Sequence, residues 1–317
     1  MSTIAPIIET TLGYQYIGFT LSIACYGITT VQTYLYYRTY QDDSRPLKAF
    51  VFVLFLLDTL CSAFVTHALY VMLVANWGNV PALHFFPWTF AAENGLTVLI
   101  TLLVQCFFAT RVWDVSGRKW IPTAIIIITA LVAFGSGLCL TSKLFMTNYS
   151  TAIQSSFFMI TASLDQGFAS LCDVIITGSL CYYLKSWRSS GTKSTVAVID
   201  RLFSYIVARG ILTAVIQFLL LITFVTVKRN EAWMLAHLVL SKVYINTMLA
   251  TLNGRQALRG KLDNIVLVTT HNRAHTPGPR LSEGHLGNME FSSNDEISIS
   301  TGLQGFASTG KEPQESL

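Results

Sequence analysis

Long apolar stretches alternate with short polar ones along most of this chain. Seven of the apolar runs extend from about Leu12 to Tyr37, Leu47 to Ala75, Trp88 to Trp113, Trp120 to Thr141, Phe157 to Leu184, Leu202 to Val227, and Ala232 to Asn253. A bilayer hydrocarbon core takes roughly 20 consecutive helical residues to cross, and each run reaches that length. The third and fifth are interrupted by Glu93, Asp165 and Asp173, and the third is flanked by Trp88 and Trp113, as an aromatic belt would be. The pattern predicts an all-α membrane protein, a seven-transmembrane-helix bundle over residues 12–253. A short extracellular N-terminus (1–11) precedes it. An amphipathic membrane-surface helix (254–268) carrying Arg255, Leu258, Arg259, Lys261, Leu262 and Ile265 follows, then a disordered cytoplasmic tail (269–317).

Composition agrees with a bilayer as solvent. Hydrophobic residues make up 52% of the 317 and charged residues 12%, against about 25% charged in average soluble domains. The net charge of +4 is scattered, and no Lys/Arg cluster interleaves with aromatics, so nucleic acid is not an expected partner. All six cysteines lie inside apolar runs without CxxC spacing, which argues against both a zinc site and a disulfide framework.

The distribution of basic residues sets an orientation. Sixteen of the 21 Lys and Arg fall on the side of the first, third and fifth loops and the tail. Three (Lys143, Lys228, Arg229) fall on the other side, and Arg209 and Lys242 lie within runs. This bias puts the C-terminus in the cytoplasm and the N-terminus outside. The sequon Asn148-Tyr149-Ser150 falls in an outer loop, a candidate glycosylation site. The first eleven residues lack a basic n-region, so the first run is expected to insert as its own signal.

Ionisable residues within spans are costly and are functional candidates by default. At about 1.5 Å per residue, Asp58 and Lys242 come to a similar midplane depth, and Asp173 and Arg209 lie roughly 12 to 16 Å above the inner edge. Two pairs follow, Lys242 with Asp58 and Arg209 with Asp173. They can be read as architectural neutralisation or as a polar lock whose breakage switches the bundle. Glu93 and Asp165, in the outer half, are left without obvious partners. They are the candidate ligand-binding residues of a water-filled outer cavity, the alternatives being satisfaction by a neighbouring hydroxyl or protonation. On the last run Lys242, Asn246, Ala250 and Asn253 share one face and lead to Arg255, a polar stripe suited to interhelical hydrogen bonds.

Certain stretches carry a family resemblance. They are Gln105-Cys106-Phe107-Phe108-Ala109-Thr110-Arg111-Val112-Trp113, Asp173-Val174-Ile175-Ile176, Lys242-Val243-Tyr244-Ile245-Asn246 and Leu249-Ala250-Thr251-Leu252-Asn253-Gly254-Arg255. Together they resemble a large family of mushroom-type (basidiomycete) fungal seven-helix membrane proteins whose shared region is a domain of unknown function. The resemblance covers about residues 12 to 259 and implies the topology but no activity. One departure is Arg188-Ser189-Ser190-Gly191-Thr192, where the family commonly has an Arg-Thr-Gly-Phe-like loop.

The leading functional expectation is a divergent receptor-like or sensory protein of the plasma membrane. The lipid bilayer, a small-molecule ligand and a cytoplasmic signalling partner are its expected partners. A small-solute transporter is the alternative, lowered because no proline lies deep in a span and no internal repeat is evident. Lys242 raises a retinal Schiff base, yet position 238 is Leu where microbial rhodopsins place an acid. His67, His84 and His237 lack metal-site spacing and read as interfacial, and no hydrolase or nucleotide-binding motif occurs. No enzyme activity, cofactor or metal is therefore expected.

Overall fold

The computed structural model describes residues 4–77, 79, 87–146, 155–190, 193–226 and 232–274. Every regular element among them is helical: α1 (Ile4–Thr39), α2 (Arg45–Tyr70) continued by a π-helical turn (Val71–Ala75), α3 (Trp88–Val115), α4 (Trp120–Met146), α5 (Ser156–Ser190), α6 (Lys193–Thr226) and α7 (Trp233–Ala274). Five of them, α2 with its π turn, α3, α4, α5 and α7, are long and apolar enough to cross a membrane. The protein is membrane-embedded by this measure. The sequon at Asn148, His84 and the chain from residue 275 onward lie outside the described residues.

Helix starts follow local chemistry. Pro46 occupies the first turn of α2 and Pro87 immediately precedes α3, positions where the missing N–H costs nothing. The α3–α4 turn reverses through two left-handed residues, Gly117 (φ 70°) and Arg118 (φ 64°). Ser116 fixes it by donating to the Trp113 carbonyl (3.1 Å) while its Oγ accepts from the Lys119 amide (3.2 Å). Several helices outrun their apolar segments. α6 begins at Lys193, nine residues before the apolar run, and α7 continues without a break through Gly254 and Gly260 to Ala274. Hydropathy marks where a helix meets lipid, whereas a helix ends where its backbone bonds are interrupted, and nothing in these flanks interrupts them.

Each helix packs against its sequence neighbours, and α1 closes the ring against α7. α3 also touches α5 and α7, which places it inside the ring. α7 is the most enclosed crossing helix, with 72% of its most apolar window buried against 33% for α2. The pattern is the inverse of a water-soluble core. Ile128, Leu131, Val174 and Phe218 face outward, while Asp58, Glu93, Gln105, Asp173, Arg209, Gln217 and Lys242 are buried. Lipid solvates the apolar exterior, so polar groups are driven inward to find one another. Hydroxyls within the spans are largely satisfied locally: Thr29, Thr59, Thr101 and Thr213 each donate to the carbonyl four residues back.

Candidate functional site

Four clusters of polar side chains among the described residues include a residue of α7. The one nearest the middle of the helices joins α7 to α2. Lys242 Nζ donates to Asp58 Oδ1 (2.6 Å), to the Asp58 carbonyl (3.0 Å) and to Ser62 Oγ (2.8 Å), with the Tyr26 ring 5.7 Å away. An ammonium has three protons, and all three are committed. Both residues are fully buried. In this arrangement the amine holds α7 to α2.

Toward the end where α7 begins, Glu93 of α3 is completely enclosed. Its Oε2 lies 3.2 Å from His237 Nε2, and its Oε1 accepts from Thr97 Oγ1 (2.9 Å) and Cys61 Sγ (3.5 Å). Sequence reasoning left Glu93 without a partner and placed His237 at the interface; instead they meet. Glu93 is five residues into α3 and His237 four into α7, so the two stand at the same depth on touching helices. The ring of His237 is flanked by Phe90 (6.3 Å) and Trp233 (5.8 Å). Asp165 of α5 is also buried; its Oδ2 accepts from Gln166 Nε2 (3.2 Å). Both acids are therefore enclosed by protein rather than standing in an open, water-filled cavity. His67, the other described histidine of this end, pairs through Nδ1 with Thr89 Oγ1 (3.1 Å). Among the described residues, no three His, Cys, Asp or Glu side chains are placed to hold a metal ion.

The third cluster ties α5, α6 and α7 beside α3. Arg209 Nη2 donates to Asp173 Oδ1 (3.2 Å), Tyr244 OH donates to Asp173 Oδ2 (2.6 Å), and Gln217 Nε2 donates to Tyr244 OH (2.6 Å). The guanidinium lies flat over Phe108, 3.5 Å from the ring centre. Tyr244 and Gln217 could not be assigned from the sequence, because a single Tyr or Gln in an apolar run has no distinctive spacing.

The fourth lies where α1 ends. Arg255 holds the loop residue Asp43 with two nitrogens (Nη2–Oδ2 2.5 Å, Nη1–Oδ1 3.4 Å), its Nε donates to the Leu252 carbonyl, and its guanidinium packs on Tyr40. Tyr36 OH donates to the same Asp43 carboxylate, and Tyr40 OH donates to the Asn253 carbonyl. The remaining members of the polar stripe face α1: Asn246 Nδ2 donates to the Cys25 carbonyl and Asn253 Nδ2 to the Gln32 carbonyl, both at 2.9 Å. Near this end a small, open hollow lies between α3, α5, α6 and α7. Phe107, Phe108, Leu184 and Ile206 line it with Arg111 and Arg255.

Residues 169–257 match a family of unknown function (DUF6534). That segment carries Asp173, Arg209, His237, Lys242, Tyr244 and Arg255, whereas Asp165 of α5 lies before it. No curated protein and no solved structure matches the chain.

Proposed function

We propose that this chain is a receptor-like seven-helix protein of the plasma membrane, with its N-terminus outside and its C-terminus in the cytoplasm. In this reading α1 and α6 cross the bilayer with the five helices already identified, and the basic bias of the loops sets the orientation. One observation carries the reading: α7 has a polar partner at every level, His237 near its outer end, Lys242 at midplane, Tyr244 below it and Arg255 at the inner end. A helix held at discrete levels by directional bonds to α1, α2, α3 and α5 has few stable positions. A disturbance at one level is passed to the others as a choice between positions rather than a gradual deformation. The protein binds and signals, and catalyses no reaction. The cytoplasmic cavity, apolar with two arginines among its lining residues, is where a signalling partner would sense the position of α7.

A label tests the coupling without knowledge of a ligand. An environment-sensitive fluorophore is placed at Tyr182→Cys, an exposed position on α5, after Cys106 and Cys139 are replaced by Ser. Glu93→Gln, which weakens the outer contact to α7, changes the label's emission if the two ends communicate. Unchanged emission from a protein that keeps its thermal stability rejects the coupling. Protease protection of terminal tags in intact cells checks the orientation, and solute flux into sealed proteoliposomes is the result that would favour the transporter instead.

A further inference from the structure

We infer that water occupies the seam between α1 and α7 and connects the buried Lys242–Asp58 pair to the aqueous phase at the end of the bundle that carries Arg255. The inference stands apart from the receptor-like reading, since it concerns hydration and not signalling. α1 and α7 lie side by side in a constant register: Asn246 Nδ2 donates to the Cys25 carbonyl and Asn253 Nδ2 to the Gln32 carbonyl, 221 positions apart in both cases. The two helices therefore run in the same direction. Along α1, Gln15, Ser22, Thr29 and Tyr36 recur every seven residues, and all four are buried. A heptad spacing keeps one stripe of a helix against its neighbour, and here the stripe is polar.

Each asparagine is oriented by the carbonyl it donates to, so its oxygen is turned away from that bond. Four oxygens of this region, Gln32 Oε1, Thr33 Oγ1, Asn246 Oδ1 and Asn253 Oδ1, are buried and have no hydrogen-bond partner in the protein. A buried acceptor without a donor costs free energy, and lipid around the bundle supplies no donor. Water does, and it brings no charge. A metal cation fits less well: Asp58 already holds Lys242, so a second cation would stand uncompensated one helical turn from the ammonium. The orphaned oxygens also form a line. Asn253 lies at its mouth, where Tyr40 OH donates to the Asn253 carbonyl and the Arg255 and Asp43 side chains remain 15% and 11% exposed. Asn246 is seven residues deeper, about 10 Å at the rise of an α-helix, an interval that roughly three hydrogen-bonded waters bridge. Ala250, on the same face between the two asparagines, puts only a methyl group into that interval. Lys242 is one further turn in.

Cys25 supplies a native reporter. It lies seven residues from Gly18, whose added Cβ would stand 2.9 Å from Leu235 Cα, so the two positions share the face of α1 turned to α7. Its own carbonyl accepts from both Asn246 and Thr29. Two other cysteines serve as controls away from the seam: Cys172, which is buried, and Cys106, which is exposed on α3 and reports what contact with lipid alone allows. The experiment is pulsed X-ray radiolysis of the full chain in lipid nanodiscs, in water enriched in oxygen-18. Radicals formed from bound water place labelled oxygen on the side chains beside it, and mass spectrometry of the peptides reads the rate at each cysteine. The expected result is oxidation of Cys25 several-fold faster than of Cys172 or Cys106. In the double variant Asn246→Leu, Asn253→Leu, which removes two of the acceptors and fills their places with apolar groups, the Cys25 rate falls to that of Cys106. Asn253→Leu alone blocks the mouth and carries the test if the double variant does not fold. Equal rates at Cys25 and Cys106 in the wild-type protein, or a Cys25 rate that Asn253→Leu leaves unchanged, overturn the water path.

Discussion

Lys242 and Asp58 stand 184 positions apart in the chain and meet in the interior, the ammonium 2.6 Å from the carboxylate and neither side chain exposed. Removing one member of such a pair leaves a buried charge without compensation, a loss on the order of 3 kcal/mol, while removing both relieves it. Lys242→Met and Asp58→Asn are each expected to lower the thermal stability of the purified protein markedly. The double variant should recover most of that loss. Additive losses in the double-mutant cycle would show that the two residues act independently.

Tyr244 holds Asp173 from one side while Arg209 holds it from the other, and its hydroxyl also accepts from Gln217. Tyr244→Phe keeps the ring and removes one oxygen, so a carboxylate oxygen and an amide each lose a partner in a dry interior. The expected cost is about 1 to 3 kcal/mol. Gln217→Ala in the Tyr244→Phe background should then cost less than it does alone, because the bond it would break is already gone. An equal cost in both backgrounds would mean the Gln217 bond does not contribute.

Much of this architecture can be read from the sequence, and the readable part has a physical basis. Apolar runs locate the helices because lipid demands them over about 20 residues, and depth arithmetic brings Lys242 level with Asp58 and Arg209 near Asp173, which are the residues found in contact. What depth cannot supply is rotation about each helix axis. Glu93 was legible as a buried acid but its partner was not, since His237 near a span end has the ordinary reading of an interfacial histidine. Asp43 gave even less signal: it lies in a polar loop, where one acid looks like any other until the ends of α1 and α7 are brought together. The enclosure of Glu93 and Asp165 is likewise a property of the closed ring and not of any single run.

Gly18 allows α1 to lie on the backbone of α7. A Cβ at that position would stand 2.9 Å from Leu235 Cα, an atom that cannot rotate away, whereas a Cβ on Gly27 of the same helix meets nothing within 4 Å. Gly18→Ala should therefore push the two helices apart and lower the unfolding midpoint, and Gly27→Ala should leave it unchanged or slightly raised, as expected for a better helix former. Thermal unfolding of the two variants side by side makes the comparison. Similar midpoints would show that α1 does not pack on α7 at this height.

Arg255 ties α7 to the loop after α1 by a geometry that only a guanidinium provides. Two of its nitrogens reach the two oxygens of Asp43, the third donates to the Leu252 carbonyl one turn back, and the plane rests on Tyr40. Lysine keeps the charge and loses the fork, the bond to Leu252 and the stacking surface. The pair is partly exposed, at 15% and 11% for the two side chains, so the charge itself contributes modestly and the shape carries more of the effect. Arg255→Lys is accordingly expected to behave nearly as Arg255→Ala does, each losing roughly 1 to 2 kcal/mol. Both variants should also free the loop at Asp43, seen as faster amide hydrogen exchange there. If Arg255→Lys retains wild-type stability and exchange while Arg255→Ala does not, charge alone holds this end of the bundle, and the bidentate contact to Asp43 is incidental.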